Sequence, residues 1–205
     1  MKITMNKKVF SKHDALVLTL LLLMLVTGVS AGCDGDIQYR RPSDWAQPLL
    51  VPGVPNCYKI SDNLYRGAQP TAEGMKNLEE MGIKTIINLR SIHSDKKRMR
   101  GTNLVYEKIP MTAFNPKEKH IVRFLTLILN EEGGPYFVHC MHGADRTGLL
   151  CASYRAAVQG WTKREALREM VEGGFGFHKI WNNLKTYLLN LDIRSIRRQA
   201  GLIDN

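Results

Sequence analysis

The chain is organised around one stretch, Val138-His139-Cys140-Met141-His142-Gly143-Ala144-Asp145-Arg146-Thr147-Gly148. The apolar run Tyr136-Phe137-Val138 predicts a short buried strand before it, and residues 149–158 predict a helix after it. A tight loop between a strand and a helix N-terminus turns backbone N–H groups inward, and the positive end of the helix dipole lies beside them. The stretch therefore predicts a cradle for an anion.

The residue types in this loop are those that phosphoryl transfer needs. Cys140 lies where the helix dipole and the guanidinium of Arg146 favour a nucleophilic thiolate. Arg146 can bind two phosphate oxygens with its planar fork. Gly143 lets the backbone turn where a side chain would block the anion. We expect the Thr147 hydroxyl to hydrogen-bond to the sulfur and His139 to orient the loop from behind.

The pattern His-Cys-x-x-Gly-x-x-Arg-Thr-Gly resembles the signature of the cysteine-dependent protein tyrosine and dual-specificity phosphatases. Other stretches resemble the small atypical dual-specificity phosphatases of bacteria, plants and fungi, namely Asn63-Leu64-Tyr65-Arg66-Gly67-Ala68-Gln69-Pro70, Ile86-Ile87-Asn88-Leu89-Arg90 and Gly173-Gly174-Phe175-Gly176-Phe177-His178. The resemblance implies a three-layer α/β fold with a mainly parallel sheet flanked by helices. It also implies hydrolysis of phosphomonoesters through a phosphocysteine, without a metal or organic cofactor. The phosphate would be held by Met141, His142, Gly143, Ala144, Asp145 and Arg146.

The general acid is harder to assign. Many relatives carry an aspartate in a loop upstream of the signature, but the matching residues 110–116 contain no aspartate or glutamate. Asp145 is the best local replacement, because it lies in the loop itself and could protonate the leaving oxygen. The alternative is that Asp145 points away and braces Arg146 or a neighbouring base. The other candidates are Asp95, Glu107, His142 and His178.

A basic connection follows the strand predicted over residues 84–89. Ligands of α/β sheets bind at the carboxyl ends of strands, so we expect Lys96, Lys97 and Arg98 to lie near the substrate. The alternative is a solvated loop.

The glycine-rich turn 173–178 is interpreted either as a wall of the site, with His178 near the substrate, or as a turn whose Phe175 and Phe177 fill the core.

The net charge and the composition of the loop indicate which classes of ligand to expect. The net charge of +10 favours an anionic partner, and no nucleic-acid motif accompanies it. We therefore expect a phosphorylated protein or a phospholipid headgroup, and the sequence does not indicate the oligomeric state. Arg146 as the one cation of the loop favours phosphotyrosine, whereas Asp145 favours a lipid headgroup. Phosphoinositide or inositol phosphate hydrolysis, a catalytically silent phospho-binding module, and sulfur transfer or arsenate reduction stay open as alternatives.

The N-terminus has the pattern of an export signal. Basic residues precede an apolar run over residues 15–26, and Val29-Ser30-Ala31 offers a cleavage site. Ala31-Gly32-Cys33 also resembles the end of a bacterial lipoprotein signal, which implies lipidation of Cys33 and membrane attachment. We expect a signal segment at 1–32, a proline-rich linker or surface arm at 33–56 and a phosphatase domain at 57–205. Either signal predicts the bacterial cell envelope or secretion.

The periodicity of apolar residues and the positions of turn-forming residues predict alternating strands and helices. The strands are expected at 58–60, 64–66, 84–89 and 104–109, and the helices at 71–81, 117–131, 162–172 and 180–191, with the basic tail 194–198 continuing the last. This alternation calls for a mainly parallel sheet covered on both faces. In an oxidising compartment Cys57 or Cys151 could protect Cys140 reversibly, a weaker hypothesis.

Overall fold

The structure is a computed structural model that describes residues 41–203. Its centre is a six-stranded sheet. The strands are β1 (Gln47–Pro48), β2 (Tyr58–Lys59), β3 (Leu64–Gly67), β4 (Thr85–Arg90), β5 (Val105–Met111) and β6 (Tyr136–His139). The α-helices are α1 (Ala72–Glu80), α2 (Glu118–Ile128), α3 (Asp145–Ala157), α4 (Lys163–Glu172), α5 (Asn182–Asn190) and α6 (Ile193–Gln199), with single 3₁₀ turns at Glu131–Gly133 and Lys179–Trp181.

The order of the strands places the end of β6 at the centre of the sheet. The order is β1-β2-β3-β6-β4-β5, with β3, β6, β4 and β5 parallel and β1 and β2 antiparallel at one edge. His139, the last residue of β6, lies between Gly67 of β3 and Asn88 of β4. The loop that follows His139 therefore starts at the carboxyl edge of the sheet, where parallel α/β sheets bind their ligands.

Two apolar cores lie on opposite faces of the sheet. Ile86 and Phe137 pack with α1 in one core, whereas their neighbours Ile87 and Val138 pack with the remaining five helices in the other. Successive residues of a strand point to opposite faces, and a strand that is buried on both faces reads as a continuous apolar run. The predicted three-layer fold with a mainly parallel sheet is confirmed.

Local capping signals locate two helices correctly. The Thr71 hydroxyl accepts a hydrogen bond from the N–H of Gly74 at 3.0 Å, and α1 ends before Gly82, whose φ is +89°. Thr162 and Glu165 form the predicted capping box at the start of α4. Such signals are reliable because the cap satisfies backbone N–H groups that have no partner within the helix.

The start of α3 and the C-terminal helix differ from the prediction, and α2 ends at Ile128 instead of residue 131. Helix α3 begins at Asp145 rather than at residue 149, because its first turn is polar yet buried and so lacks the apolar stripe that marks a helix in sequence. The basic tail does not continue α5. Asp192 caps a new helix by accepting a hydrogen bond from the N–H of Ser195 at 3.0 Å, and α6 starts there.

Residues 41–56, called the arm below, pack on the rest of the domain. The compact unit begins at Arg41, so the fold starts earlier than the boundary at residue 57 that the proline-rich composition predicts. Trp45 and Ala46 are buried, and the N–H of Ala46 donates to Oε1 of Glu169 in α4 at 2.6 Å. Composition alone does not distinguish a linker from an arm, because the contacts that fix the arm are distant in sequence.

The segment 1–32 predicted as a signal and the proposed lipidation residue Cys33 lie outside the described residues. Within residues 41–203, no helix has the length and apolar character needed to cross a membrane.

A buried ion pair between α3 and α4 generates a stability prediction. Arg155 donates to both carboxylate oxygens of Glu169, at 2.8 and 2.7 Å, and both side chains are buried. Glu169→Ala leaves the guanidinium without its anion and the Ala46 N–H without its acceptor, so we expect a loss of about 3–5 kcal/mol in the free energy of unfolding. Chemical denaturation measures this loss.

The matched control is Glu172→Ala on the same helix. Glu172 pairs with Arg168 at 3.1 Å, but both side chains are more than half exposed, and such pairs contribute about 0–1 kcal/mol. Equal small losses in the two variants would contradict a structural role for the Arg155–Glu169 pair.

Candidate active site

The anion loop runs from the end of β6 to the start of α3, over residues 140–144. Its sharp turn is made at Gly143, whose φ is +71°. A Cβ at this position would lie 2.4 Å from the carbonyl carbon and oxygen of Gly67, at the end of β3. Glycine is therefore required for both conformation and space, because the loop lies directly against the neighbouring strand.

Cys140 lies at the base of the loop and is buried, with 1% of its surface exposed. Burial alone would raise the pKa of the thiol. Hydrogen bonds from the side chain and the N–H of Thr147, the charge of Arg146 and the N–H of Gly143 outweigh burial, so the pKa of Cys140 is lowered. The loop thus stabilises the thiolate that a nucleophilic mechanism requires.

Thr147 lies where the sequence predicts a donor to the sulfur. Its hydroxyl is buried, and its interaction with the thiol is among the causes that lower the pKa of Cys140. A donor at this place stabilises the thiolate before attack and again when sulfur leaves phosphorus.

His139 orients the loop from behind, also as predicted. Its Nδ1 lies 2.9 Å from the carbonyl oxygen of Cys140, which can only accept, so Nδ1 carries a proton. Its Nε2 lies 2.9 Å from Oδ2 of Asp95, and both side chains are fully buried. Gln69 donates to the other carboxylate oxygen. Asp95 is thereby excluded as the general acid, because it is buried beneath the loop and bound to His139.

Arg66 supports the loop as well, a role that the sequence analysis missed. Its guanidinium is buried, donates to the carbonyl oxygen of Gly143 at 2.6 Å, and lies 3.6 Å from the centroid of the Phe175 ring. Cation–π contact of this kind offsets part of the loss of hydration. Arg66 falls within the stretch 63–70 that was quoted only for its resemblance. A basic residue in a strand that should be buried was the available signal.

Asp145, His178 and His142 lie together at the mouth of the loop. The backbone N–H of His178 donates to Oδ1 of Asp145 at 2.9 Å, and Nδ1 of His178 lies 2.9 Å from Oδ2. No ion pair joins Asp145 to Arg146 among the described residues, whereas His178 is a neighbouring base that contacts Asp145, so the second form of the predicted brace is present. Glu107 is also excluded as the general acid, because it pairs with Arg123 of α2 at 3.1 Å and does not line the cavities at the loop.

A cavity of about 360 Å³ opens in front of the loop. Asp145, Arg146, His142 and His178 form its polar side. The opposite side is formed by residues of the loop 110–116, called the upstream connection, and of the 3₁₀ turn Lys179–Trp181. These residues are Thr112, Ala113, Phe114, Ile180 and Trp181. The upstream connection therefore reaches the site, as the resemblance implies, but it contributes an apolar wall instead of an acid.

The basic connection after β4 contributes to a second cavity, of about 570 Å³, on the other side of His142. Arg90, His93 and Arg98 line this cavity, whereas Lys96 and Lys97 are exposed and line neither cavity. The pKa of Arg90 is lowered by burial and by the nearby charges of Arg146 and Arg98, against the opposing effect of Asp95. Arg90, which the sequence analysis did not single out, is thus closer to the loop than the two lysines.

The glycine-rich turn 173–178 combines the two roles considered for it. Phe175 is buried against Arg66 and so fills the core, whereas His178 at the end of the turn lines the cavity. The three described cysteines are free thiols. Burial raises the pKa of both Cys57 and Cys151 to about 11, in contrast to Cys140.

A thiolate at the base of a strand–loop–helix cradle, with an arginine beside it, defines a cysteine-dependent phosphatase. A model of the family described as "DSP-PTPase phosphatase fused to NAD+ Kinase" matches residues 57–183. The chain therefore belongs to the DSP-PTPase family, and it is a tyrosine/dual-specificity type phosphatase. The resemblance to atypical bacterial dual-specificity phosphatases is confirmed.

Individual relatives agree with this assignment. The chain is 35% identical over 160 residues to the dual specificity protein phosphatase TpbA of Pseudomonas aeruginosa strain UCBPP-PA14, covering 77% of this chain and 71% of TpbA. The crystal structure of P. aeruginosa TpbA has a TM-score of 0.72 at 31% identity and covers 79% of this chain and 99% of that one. A cysteine-to-serine variant of TpbA in complex with pTyr has a TM-score of 0.71 at 30% identity, with the same coverage.

A more distant relative has a different printed activity. The inositol diphosphatase DSP5 of Arabidopsis thaliana is 27% identical over 131 residues, covering 59% of this chain and 62% of DSP5. The family thus includes relatives described as acting on proteins and a relative described as acting on an inositol diphosphate.

The lowered pKa of Cys140 predicts selective alkylation. Because a lower pKa leaves more thiolate at a given pH, iodoacetamide should modify Cys140 at a pH at which an ordinary thiol is unreactive. Cys57 and Cys151 should stay unmodified in the folded protein. Peptide mass spectrometry across a pH series measures the three rates separately.

The matched variant for this experiment is Thr147→Val, which removes the hydroxyl and keeps the shape. The midpoint of Cys140 alkylation should move to higher pH, because the thiolate loses a hydrogen-bond donor. An unchanged midpoint would show that the hydroxyl does not act on the sulfur.

Proposed function

We propose that this phosphatase hydrolyses phosphotyrosine in proteins, and that it does so in the bacterial cell envelope. The observation that carries the proposal is the two-sided cavity at the loop. Arg146 and the thiolate of Cys140 are placed for a phosphate, and Phe114, Ile180 and Trp181 offer an apolar surface to the ring that carries it. The complex of the TpbA variant with pTyr supports this substrate class.

The proposed chemistry has two displacements at phosphorus. The sulfur of Cys140 attacks the phosphate, the P–S bond forms, and the bond to the tyrosine oxygen breaks. Arg146 and the inward N–H groups of the loop bind the equatorial oxygens, whose charge is greatest in the transition state. Water then attacks the phosphocysteine, releasing inorganic phosphate and the Cys140 thiolate, which Thr147 stabilises.

We assign the proton transfers to Asp145. Its carboxyl group lines the cavity beside Arg146, and the backbone N–H and ring Nδ1 of His178 fix its orientation. In the first step Asp145 gives a proton to the leaving oxygen, and in the second it accepts one from the attacking water. Geometry supports the assignment, because Asp95 is bound beneath the loop and residues 112–114 at the cavity wall carry no acid.

The substrate is tested by hydrolysis of a phosphotyrosine peptide by the protein and its Phe114→Ala variant. Phe114 is 70% exposed in the free protein, so the substitution removes a contact with the substrate and little from the core. Losing part of an apolar contact should raise KM about five- to tenfold, with kcat nearly unchanged. Cys140→Ser provides the baseline and should show no turnover.

The control for the apolar wall is Leu50→Ala, another exposed apolar side chain, which lies in the arm away from the cavity. Its KM should equal that of the unaltered protein. A Phe114 variant with unchanged KM would contradict the proposed contact with the tyrosine ring.

The role of Asp145 is tested with Asp145→Asn on two aryl phosphates. A good leaving group such as p-nitrophenolate needs little protonation, so kcat should fall less than about tenfold. With an unsubstituted phenol as leaving group, kcat should fall about 10²–10³-fold, because the proton is then required in the transition state. Equal losses on both substrates would make Asp145 structural.

A second candidate function is hydrolysis of an inositol phosphate or a phosphoinositide. The second cavity favours it, since Arg90, His93 and Arg98 could bind a further phosphate beside the one in the loop. DSP5 gives this candidate a precedent among the relatives. The same hydrolysis assay compares inositol phosphates with the phosphotyrosine peptide. A higher kcat/KM for inositol phosphates, with this preference lost in Arg90→Ala, would favour this function over phosphotyrosine hydrolysis.

A third outcome would leave a phospho-binding module. It requires that the protein bind vanadate or phosphate but release no phosphate from any substrate.

The proposed location rests on the N-terminal pattern, with its basic segment, apolar run and Cys33. Lipidation at Cys33 would hold the domain at a membrane surface through residues that precede the arm.

A further inference from the structure

Three side chains of the types that can ligate a metal ion meet at the mouth of the active-site cavity. His142, Asp145 and His178 each offer one ligand atom, and these atoms all lie within 4.8 Å of one another. The residues come from the loop, the start of α3 and the turn after α4, so the fold brings together groups that are distant in sequence. The two imidazole rings have centroids 5.2 Å apart.

Phosphate hydrolysis does not account for both histidines. Cys140, Arg146 and Asp145 carry the proposed steps. The ring of His142 is exposed, contacts the ring of His178, and forms no hydrogen bond within residues 41–203. The ring of His178 is 46% exposed and has Asp145 as its partner. Two accessible imidazoles beside one fixed carboxylate form a donor set typical of zinc sites.

We propose that His142, Asp145 and His178 bind a divalent transition-metal ion of the zinc class, which blocks the cavity and inhibits the enzyme. Zinc bonds to imidazole nitrogen and carboxylate oxygen are about 2.0–2.2 Å long, so tetrahedral ligand atoms lie about 3.3–3.6 Å apart. The exposed rings of His142 and His178 can reach this spacing by rotating toward the ion. The fourth position is left to water or to a phosphate oxygen.

Binding replaces the contact between His178 and Asp145. When Nδ1 of His178 is the ligand atom, it bonds to the ion instead of contacting Oδ2 of Asp145. The second ligand, Asp145, is already held in place by the backbone N–H of His178. A carboxylate held in this way loses little freedom on binding the ion.

The surrounding charges limit the affinity without preventing binding. Arg146 lines the same cavity, and Arg90 and Arg98 lie beyond His142, so the local field disfavours a cation. The thiolate of Cys140 and the carboxylate of Asp145 oppose them. A site of this balance responds to changes in free metal concentration instead of retaining the ion permanently.

The inhibitory effect rests on the proposed function, whereas metal binding does not. Asp145 as a metal ligand cannot give its proton to the leaving oxygen, and an ion at the mouth excludes the substrate ring. Binding and inhibition are therefore measured separately.

Binding is measured on the full chain carrying Cys140→Ser, which removes the thiolate as a competing ligand. Titration with Zn²⁺ in a calorimeter, and the visible absorption of Co²⁺ as a substitute, should show one site with nitrogen and oxygen ligands. His142→Ala and His178→Ala in the same background should each weaken binding at least about tenfold. The matched control is His93→Ala, which removes an exposed histidine that lines the second cavity. It should leave the affinity for zinc unchanged.

Three results would overturn the proposal. Unchanged affinity in the His142 and His178 variants would exclude these ligands. Zinc binding that is present with Cys140 and absent in Cys140→Ser would assign the ion to the thiolate. Weakening by His93→Ala to the same extent would point to nonspecific binding. Vanadate affinity measured on each histidine variant with Cys140 intact verifies that the loop is folded.

Inhibition is measured on the enzyme with Cys140 intact, using p-nitrophenyl phosphate. For each protein, the Zn²⁺ concentration that halves its own uninhibited rate is determined. This concentration should be at least about tenfold higher for His142→Ala than for the unaltered enzyme. Metal binding at the three residues without any inhibition would contradict the regulatory effect and leave the binding site standing. Absence of turnover without metal would contradict the proposed function and leave the binding result unaffected.

Discussion

The close approach of β3 to the anion loop is the constraint on which the rest of the structure depends. At Gly143 the loop backbone lies so near Gly67 that a single added carbon would overlap the neighbouring strand. The carbonyl of Gly143 is turned toward the buried guanidinium of Arg66, which holds it at 2.6 Å. Because this carbonyl is held on the inner side, the N–H groups of the loop are free to face the anion. Anion binding at the surface is thus a consequence of backbone packing in the interior.

Three buried ionisable side chains lie beneath the loop, and they differ in how they are compensated. His139 and Asp95 form a closed pair, with Gln69 on the remaining carboxylate oxygen. Arg66 has no carboxylate partner among the described residues, and its Nε has no hydrogen-bond partner. Burial of an ion costs several kcal/mol, which the ring of Phe175 and the Gly143 carbonyl offset in part. The charge of Arg66 therefore adds to the positive field beneath the anion loop.

The sequence was sufficient for the features that local patterns encode, and insufficient for those that depend on distant contacts. The roles of Cys140, Arg146 and Thr147 follow from spacing within one loop, and the caps at Thr71 and Thr162 follow from residues three positions away. By contrast, the arm was assigned outside the domain, because Ala46 and its partner Glu169 are 123 residues apart. The partner of Asp145 was missed for the same reason. Hydrophobic periodicity also failed for the first turn of α3, where buried polar residues face the site.

The arm and the glycine-rich turn 173–178 connect the N-terminal part of the domain to the proton donor. Successive carbonyls of the turn are held by side chains from the first strands and the arm: Gly173 by Arg41, Gly174 by Tyr58 and Phe175 by Asn56.

Asn56 also donates to the carbonyl of His142, at 2.8 Å, and so joins the turn directly to the anion loop. At the end of the turn, His178 fixes Asp145. The thiolate and Arg146 depend on β3, β6 and α3, whereas the orientation of Asp145 depends in addition on the arm. Displacement of the arm would therefore weaken proton transfer, and it would also remove the contact of Asn56 with the anion loop. The anion loop and the turn that orients Asp145 thus share the contacts of Asn56, whereas the close approach of Gly143 to Gly67 belongs to the anion loop alone.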